Sequence, residues 1–315
     1  MPRLTPGDVH STTYLGNIAL MWMQDQSDYI CNQIAPVVRV AKESDKYAIF
    51  TQADFARIEA NVIANGDPAE RAGFGVSSAT YTCEEYGLGY QITERDRQNQ
   101  DSPFQLQVNG TLFAADQVMK KREYDCATAI FNTTNYSNYS AVSVAWDSAD
   151  AKAFEDVLTG FDNVEDQASG WAANTIVMGI EGWRQFRLNP NVLQYVFGPG
   201  ADRAIIPTRA QVEAAISDYV GKPVRLFVGR GVYNTSAEAA TASYSKIWGK
   251  YCWIAYVAPN PARNLPSAAY TFEANYEVRK WYETATKNDI IEVREIRDIK
   301  ATSAACAYLW TSVVN

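Results

Sequence analysis

The stretch Ser78–Thr93, SATYTCEEYGLGYQIT, is the most informative part of the chain. Its apolar residues alternate with polar or glycine positions; they are Tyr81, Cys83, Tyr86, Leu88, Tyr90 and Ile92. Two short strands, Ser78–Glu84 and Tyr86–Thr93, therefore each have one apolar face and one polar face. A two-stranded arm with so little packing of its own is marginal in isolation. We expect its apolar face to pack on another surface, in particular on a neighbouring subunit.

These strands close a longer segment, Val40–Gln98, that lacks the residues to bury itself. The pattern of Asp54–Ala64 predicts a helix, and the sequence Gly-Asp-Pro at 66–68 breaks the chain. The densest charge cluster, at 94–97, follows the strands. A solvated face is the ordinary interpretation of such a cluster. On an arm that lies on another surface, inter-subunit ion pairs are expected, although each contributes little alone.

Composition restricts the class of protein. The chain has 315 residues, 47% of them hydrophobic and 20% charged, which is typical of a folded protein with a large core. A net charge of −8 argues against a protein that grips nucleic acid through its phosphates. No apolar run has the length of a membrane span. The five cysteines show no metal or disulfide spacing, so we expect reduced thiols in a cytoplasmic setting.

A search for catalytic and binding motifs finds none. The one histidine, His10, lies in the N-terminal arm, and catalysis by a Ser-His-Asp or Cys-His arrangement needs the base held beside its nucleophile. Nucleotide-binding glycine loops and zinc-ligand spacings are missing from the sequence. Carboxylate pairs such as Glu84-Glu85 or Asp162 with Asp166 are read as solvated acidic loops. We therefore predict no enzyme activity, and no catalytic, cofactor-binding or metal-binding residue.

The rest of the chain mixes helices and strands. Asp101-Ser102-Pro103 predicts a helix start, and apolar residues at helical spacing continue the helix from Ser102 to Phe131. Further helices are predicted at Ala149–Leu158, Ile180–Arg187 and Thr208–Tyr219, with a stop at Asn189-Pro190. Strands are predicted at Asn174–Gly179, Arg203–Pro207, Val224–Gly229, Tyr251–Pro259, Thr271–Tyr282 and Ile290–Lys300, with a final strand at the C-terminus. The prediction is an α+β fold.

The order of these elements resembles the major capsid proteins of tailed bacteriophages, which have the Hong Kong 97 type fold. The segments Ser27–Ile30 and Ile34–Val40 are similar to the end of that family's N-terminal arm. Arg71-Ala-Gly73-Phe and Tyr81-Thr-Cys83-Glu-Glu-Tyr86-Gly-Leu88 are similar to its extended E-loop. The long helix after Ser102 resembles the spine helix. The stretches from Thr159 to Gly179 and from Trp183 to Val192 resemble the entry into the axial domain.

The resemblance implies a domain organisation. Residues 1–39 correspond to the N-terminal arm and 40–98 to the E-loop. Residues 99–158 and 262–315 correspond to the peripheral domain with the spine helix, and 159–261 to a mixed-sheet axial domain. We expect subunit contacts of the E-loop to involve Arg57, Arg71, Tyr81, Tyr86, Glu94, Arg95, Asp96 and Arg97.

The implied function is a coat subunit that assembles into hexamers and pentamers of an icosahedral virion shell. Such a shell forms in the host cytoplasm and encloses double-stranded DNA without specific binding. The implied partners are further copies of the chain and portal, scaffolding and decoration proteins, with no membrane and no cofactor. The sequence opens directly into the arm, so a fused scaffolding segment is not expected. Two alternatives stay open: an encapsulin-like nanocompartment, and a carboxylate-dependent hydrolase of a different class.

Overall fold

The predicted long helix is present and joins two β-sheets. The computed structural model describes residues 24–99, 105–200, 205–238, 240–261 and 265–315. Within them the helices are α1 (Cys31–Ile34), α2 (Gln52–Phe55), α3 (Glu94–Gln98), α4 (Leu106–Ile130), α5 (Ala153–Gln167), α6 (Ile180–Leu188), α7 (Pro190–Phe197) and α8 (Arg209–Val220). The strands are β1 (Val37–Arg39), β2 (Ser44–Phe50), β3 (Val76–Thr82), β4 (Glu84–Thr93), β5 (Tyr139–Ala141), β6 (Thr175–Gly179), β7 (Arg225–Gly229), β8 (Val232–Asn234), β9 (Tyr244–Lys246), β10 (Cys252–Ala255), β11 (Ala269–Glu283), β12 (Asn288–Ala301) and β13 (Ala307–Thr311).

The first sheet has the strand order β1-β11-β12-β4. Its centre is the long antiparallel hairpin of β11 and β12, which the alternating pattern predicted. One face of β12 is buried at every second residue: Ile291, Val293, Glu295 and Arg297. Helix α4 covers this face, since Ala114 and Val118 pack with Val293.

Helix α4 has 25 residues, a length of about 37 Å at 1.5 Å per residue. The predicted start at Asp101-Ser102-Pro103 lies outside the described residues. Gly110 in this helix has a packing role: a Cβ at this position would collide with the ring of Tyr90 on β4. The glycine therefore allows the helix to approach the sheet closely.

The second sheet has the order β5-β13-β10-β6-β7. Helices α5 to α8 surround it and together form the larger core. Its biggest fully buried side chains are aromatic: Trp146, Trp248, Trp253, Tyr136, Phe154 and Phe186. The apolar strands of this sheet, such as β6 and β10, are buried along their whole length.

Several predicted elements are wrong. The helix predicted at Asp54–Ala64 is limited to α2, because the residues after it are exposed and no tertiary packing supports a helix there. The two strands predicted at Ser78–Glu84 and Tyr86–Thr93 do not pair with each other. Instead, β3 pairs with β2 in a separate ribbon, and β4 pairs with β12 in the first sheet.

Helix boundaries also differ. Helix α5 begins at Ala153, four residues later than predicted, and continues through Gly160, where a Cβ would collide with the side chain of Ile254. The predicted stop at Asn189-Pro190 is a junction, because Asn189 caps α7 and Pro190 opens it. The strand predicted at Arg203–Pro207 is absent from its described part, Ile205–Pro207.

Candidate assembly interface

The ribbon of β2 and β3, here called the arm, is fastened to the first sheet at its base. The ring of Tyr81 stacks on Phe272 of β11 at a centroid distance of 4.6 Å, and Tyr47 packs on the same ring at 5.5 Å. The backbone N–H of Thr82 donates to the carboxylate of Asp298 at 3.0 Å. These contacts bury Tyr81 and Phe272 almost completely.

The far end of the arm is apolar and exposed. The rings of Phe50, Phe55 and Phe74 contact each other at centroid distances of 5.3 to 6.2 Å. Nevertheless Phe55 is 63% exposed. We define the apolar tip as the exposed large hydrophobic residues of this end: Ile49, Phe55, Ile58, Val62, Ile63, Phe74 and Val76. A concentration of exposed apolar side chains of this kind marks an interaction site.

One polar side chain, Gln52, ties this end of the arm to its own chain. Its amide donates to the backbone oxygen of Gln167, the last residue of α5, and to the hydroxyl of Ser169, just after α5, at 2.8 Å. All three residues are exposed. An exposed polar contact of this kind contributes little to stability, so the apolar tip is free to find another surface.

A buried ionic network lies between α4 and the hairpin of the first sheet. Arg297 donates to Glu295 at 3.0 Å and to Asp125 at 2.8 Å. Arg122 donates to Glu295 at 2.5 Å and to Glu273 at 3.2 Å. Burial raises the pKa of Glu295, and the two arginines oppose that shift. Each charge therefore depends on its partners, and removal of one leaves an uncompensated buried charge.

Glu123 holds three parts of the chain together from inside the core. Its carboxylate accepts hydrogen bonds from the backbone N–H groups of Ile30 and Cys31 at 2.9 and 3.0 Å, and from the indole N–H of Trp248 at 2.7 Å. Burial raises the pKa of Glu123, and these donors partly offset the effect. The side chain thus attaches the segment before β1 to the spine helix.

Known structures share the fold of this chain. A phage-related protein from Bordetella bronchiseptica RB50 is 19% identical, with a TM-score of 0.70 over 92% of this chain and 93% of that chain. A subunit of the capsid of cyanophage P-SCSP1u is 10% identical, with a TM-score of 0.64 over 96% and 93%. The virus-like particle from Pyrococcus furiosus is 10% identical, with a TM-score of 0.53 over 88% and 90%. The chain has the phage capsid fold.

The predicted α+β capsid fold is therefore confirmed. Sequence comparison alone does not detect it: no protein-family model matches the sequence, and a search of curated proteins finds no match. At these identities the similarity establishes the fold, and function has to be argued from the molecule's own surfaces. Among the described helices none is long and apolar enough to cross a membrane.

Within this capsid fold, the residues expected at subunit contacts lie in three places. Arg57 and Arg71 are exposed beside the apolar tip, and Arg57 pairs with Asp54 at 3.6 Å. Tyr81 is 6% exposed, because its ring is covered by Phe272. Its side chain therefore offers little surface to a neighbour.

Tyr86 is half-buried at the base of the arm. The guanidinium of Arg297 lies 4.3 Å from the centre of its ring, a cation–π contact. Its hydroxyl donates to Glu84 at 2.9 Å. Burial and this hydrogen bond raise the pKa of Tyr86 to about 12. Tyr86 therefore packs chiefly against its own chain.

The charge cluster at 94–97 forms α3. Thr93 caps this helix through a hydrogen bond from the backbone N–H of Asp96 at 3.1 Å. Arg97 pairs with Asp289 at 2.9 Å. Arg95 is exposed, Glu94 is half-buried, and neither forms an ion pair among the described residues. Their role at a subunit contact stays a prediction.

Sequence reasoning missed the buried charges and the aromatic residues of the tip. Glu295 and Arg297 could have been found, because they continue the inward alternation of Ile291 and Val293. Glu123 carried no such signal, since its partners lie about 90 and 125 residues away in sequence. The pattern of Asp54–Ala64 predicts a helix that contains Phe55 and ends before Phe74, so the sequence gives no sign that the two rings meet.

Proposed function

We propose that this chain is the major capsid protein of a bacteriophage. It assembles into hexamers and pentamers of an icosahedral shell that encloses double-stranded DNA. The observation that carries the proposal is the apolar tip, presented on an arm within a capsid fold. A surface of this kind on a soluble chain requires a partner, and further copies supply one.

The construction of the arm supports this proposal. Both of its ends are fastened to the sheet: Val40 donates its backbone N–H to Glu273 of β11 at 3.0 Å, and Thr82 donates to Asp298 of β12 at 3.0 Å. The two ends are also joined to each other, because Cys83 donates its backbone N–H to Glu43 at 2.7 Å. An arm with a rigid base and an uncovered tip is suited to reach around a neighbour in a contact between different faces of two copies. Closed rings and shells are built from such contacts.

The negative net charge of the chain is compatible with a shell that encloses DNA. A net charge of −8 favours an inner surface to which packaged DNA does not adhere strongly. The location that follows is the virion, after assembly in the host cytoplasm. Portal, scaffolding and decoration proteins complete the proposed set of partners. We propose no enzymatic activity and no cofactor.

The test is the size of the purified particles. We expect the expressed chain to sediment as capsomers or as megadalton shells, with a scaffolding protein added if assembly requires one, and to appear as closed particles in negative-stain images. A stable monomer that turns over a glycan or an ester would contradict the proposal and support the hydrolase alternative.

An encapsulin-like nanocompartment is the second candidate, favoured by the similarity to the Pyrococcus furiosus virus-like particle. The two candidates share the arm and the fold, so the contents of the particle separate them. Particles purified from the natural source should contain double-stranded DNA of uniform length. Particles filled with a cargo enzyme and free of DNA would favour the nanocompartment.

A further inference from the structure

A positively charged groove lies where β6 and β7 end. These two strands are parallel neighbours; α6 follows β6 directly, and Arg230 follows β7. The groove has a volume of about 320 Å3. We call it the basic groove; it is lined by Ile180, Trp183, Arg184, Arg187, Arg230, Val232 and Lys246. Four of these seven residues are cations, in a chain that is acidic overall.

Most of this positive charge is uncompensated. Lys246 pairs with Glu181 at 2.6 Å. In the described part of the chain, Arg184, Arg187 and Arg230 have no carboxylate within ion-pair distance. The Nε atom of Arg187 is also buried without a hydrogen-bond partner. A buried unsatisfied donor is costly, and an incoming carboxylate matches the fork of a guanidinium.

A matching negative surface lies on α5. Asp162, Glu165 and Asp166 are spaced at i, i+3 and i+4, so they share one face of the helix. All three are exposed, and among the described residues none of them forms an ion pair. The opposite face of α5 is buried in the core, which holds the three carboxylates in a fixed row. We call this row the acidic ridge.

The ridge and the groove lie at opposite ends of the same strands. The chain runs from the end of α5 into the start of β6, and Tyr219, shortly before β7, donates to Asp162 at 3.3 Å. The groove is at the other ends of β6 and β7. Five residues of strand separate the two by about 16 Å. The two surfaces therefore cannot neutralise each other within one chain.

We propose that the basic groove of one copy receives the acidic ridge of a second copy. The inference rests on the proposed function and names the pairing of charges between neighbouring subunits. The contact joins two different faces of the same chain, which is the type that closes into a ring when it is repeated. It also gives an acidic chain a specific attraction for its own copies, where general repulsion would otherwise act.

The test is a charge swap in the full-length chain. Variant G carries Arg184→Glu and Arg230→Glu, and variant R carries Glu165→Arg and Asp166→Arg. All four positions are exposed, so we expect wild-type thermal unfolding for both. A matched control, Lys222→Glu with Arg225→Glu, makes the same charge change as variant G at exposed positions near the ridge.

Shell yield is measured by sedimentation under conditions in which the wild type assembles, so the wild-type sample tests the proposed function separately. We expect variants G and R each to lower the yield about tenfold or more, because like charges then face each other. The combined G and R variant should regain shells, and the lysine–arginine control should assemble normally.

Two results would overturn the proposal. One is a wild-type shell yield from variant G; if those shells package less DNA, the groove would be assigned to phosphate. The other is a combined G and R variant that folds but recovers no shells. If the wild type forms no shells, the proposed function fails first. The pairing is then refuted if the two single-sided variants, mixed at low salt, associate no more than either alone.

Discussion

The ring of Tyr81 lies on the ring of Phe272, with centroids 4.6 Å apart and planes inclined by 12°. Tyr81 belongs to the arm and Phe272 to the sheet, so this stack is the apolar anchor of the arm. The cluster around it is small and separate from the main core. Loss of the Tyr81–Phe272 stack should therefore disturb the attachment of the arm before it disturbs the main core.

Replacement of Phe272 by alanine should lower the free energy of unfolding by about 3 kcal/mol, since a buried phenyl ring is lost and a cavity remains. Equilibrium unfolding in urea measures the change. Phe55→Ala is the matched control, because Phe55 is 63% exposed and its loss should change stability by less than about 0.5 kcal/mol. Equal effects of the two substitutions would contradict the anchoring role.

Removal of the arm should separate folding from assembly. Replacement of Ser44–Thr82 by two glycines joins Glu43 to Cys83, which already share a backbone hydrogen bond. We expect a soluble protein with a cooperative thermal transition that forms no shells. Circular dichroism and sedimentation test both expectations, and normal shells from this variant would remove the arm from the interface.

The structure also changes where the deletion must stop. A deletion of Asp54–Thr93 would cover the predicted helix and both predicted strands of the Val40–Gln98 segment. That segment includes β4, which pairs with β12 along its whole length. We now expect a deletion through Thr93 to expose the edge of β12 and to give insoluble protein.

A proline in the spine helix should have the opposite effect to arm removal. Met119→Pro removes a hydrogen bond in the middle of α4 and clashes with the preceding turn, at a cost of about 3 kcal/mol or more. We expect insoluble or degraded protein, measured by the soluble fraction on expression. Met119→Leu keeps the volume and the helix and should remain soluble.

The β11–β12 hairpin and the spine helix could be predicted because each repeats a local period over many residues. The partner of β4 could not be predicted in this way. The sequence pattern predicts that β3 and β4 pair as a two-stranded arm. In the structure β4 instead pairs with residues about 200 positions later in the chain. A period-two pattern gives the face that a strand buries and contains no information about which strand covers its edge.

The candidate surfaces show the same limit. The carboxylates of the acidic ridge have helical spacing in the sequence, but the predicted helix ends at Leu158 and leaves Asp162 and Asp166 in a solvated loop. The structure extends α5 to Gln167 and so places them on one helix. The cations of the basic groove come from positions 184, 187, 230 and 246, which the ends of two parallel strands bring together. The apolar tip was hidden because its two aromatic residues, Phe55 and Phe74, lie near opposite ends of the long connection between β2 and β3.

The buried carboxylate of Glu123 should give stability a pH dependence of known sign. Its pKa is raised in the folded chain, so the folded state holds this proton to higher pH than the unfolded state. The contribution of protonated Glu123 to the free energy of unfolding is complete below its pKa in the unfolded chain, about 4.3. It declines as the pH rises through its pKa in the folded chain. Urea unfolding of the wild type and Glu123→Gln from pH 4 to 8 tests this. The stability advantage of the wild type should shrink with rising pH, and an advantage that grows would contradict the assignment.

Disulfides should have no part in the integrity of the particles. All five cysteines are buried as free thiols: Cys31, Cys83, Cys126, Cys252 and Cys306. A reducing agent at neutral pH should leave the sedimentation profile unchanged, and thiol titration should detect five groups in denaturant and few without it. Disassembly by reductant alone would show that cross-links form between copies.

The fastening of both ends of the arm to one hairpin has a mechanical consequence. The chain enters the arm from β1, beside β11, and leaves it into β4, beside β12. The arm therefore moves as a unit about its attachment to the sheet. Each strand of the arm has seven residues, so it is about 23 Å long, and a tilt of about 5° at the base displaces the far end by about 2 Å. Angular stiffness at Phe272 thus becomes positional accuracy at the apolar tip. In the shell that we propose, small rotations of the sheet would adapt this contact to rings of different curvature.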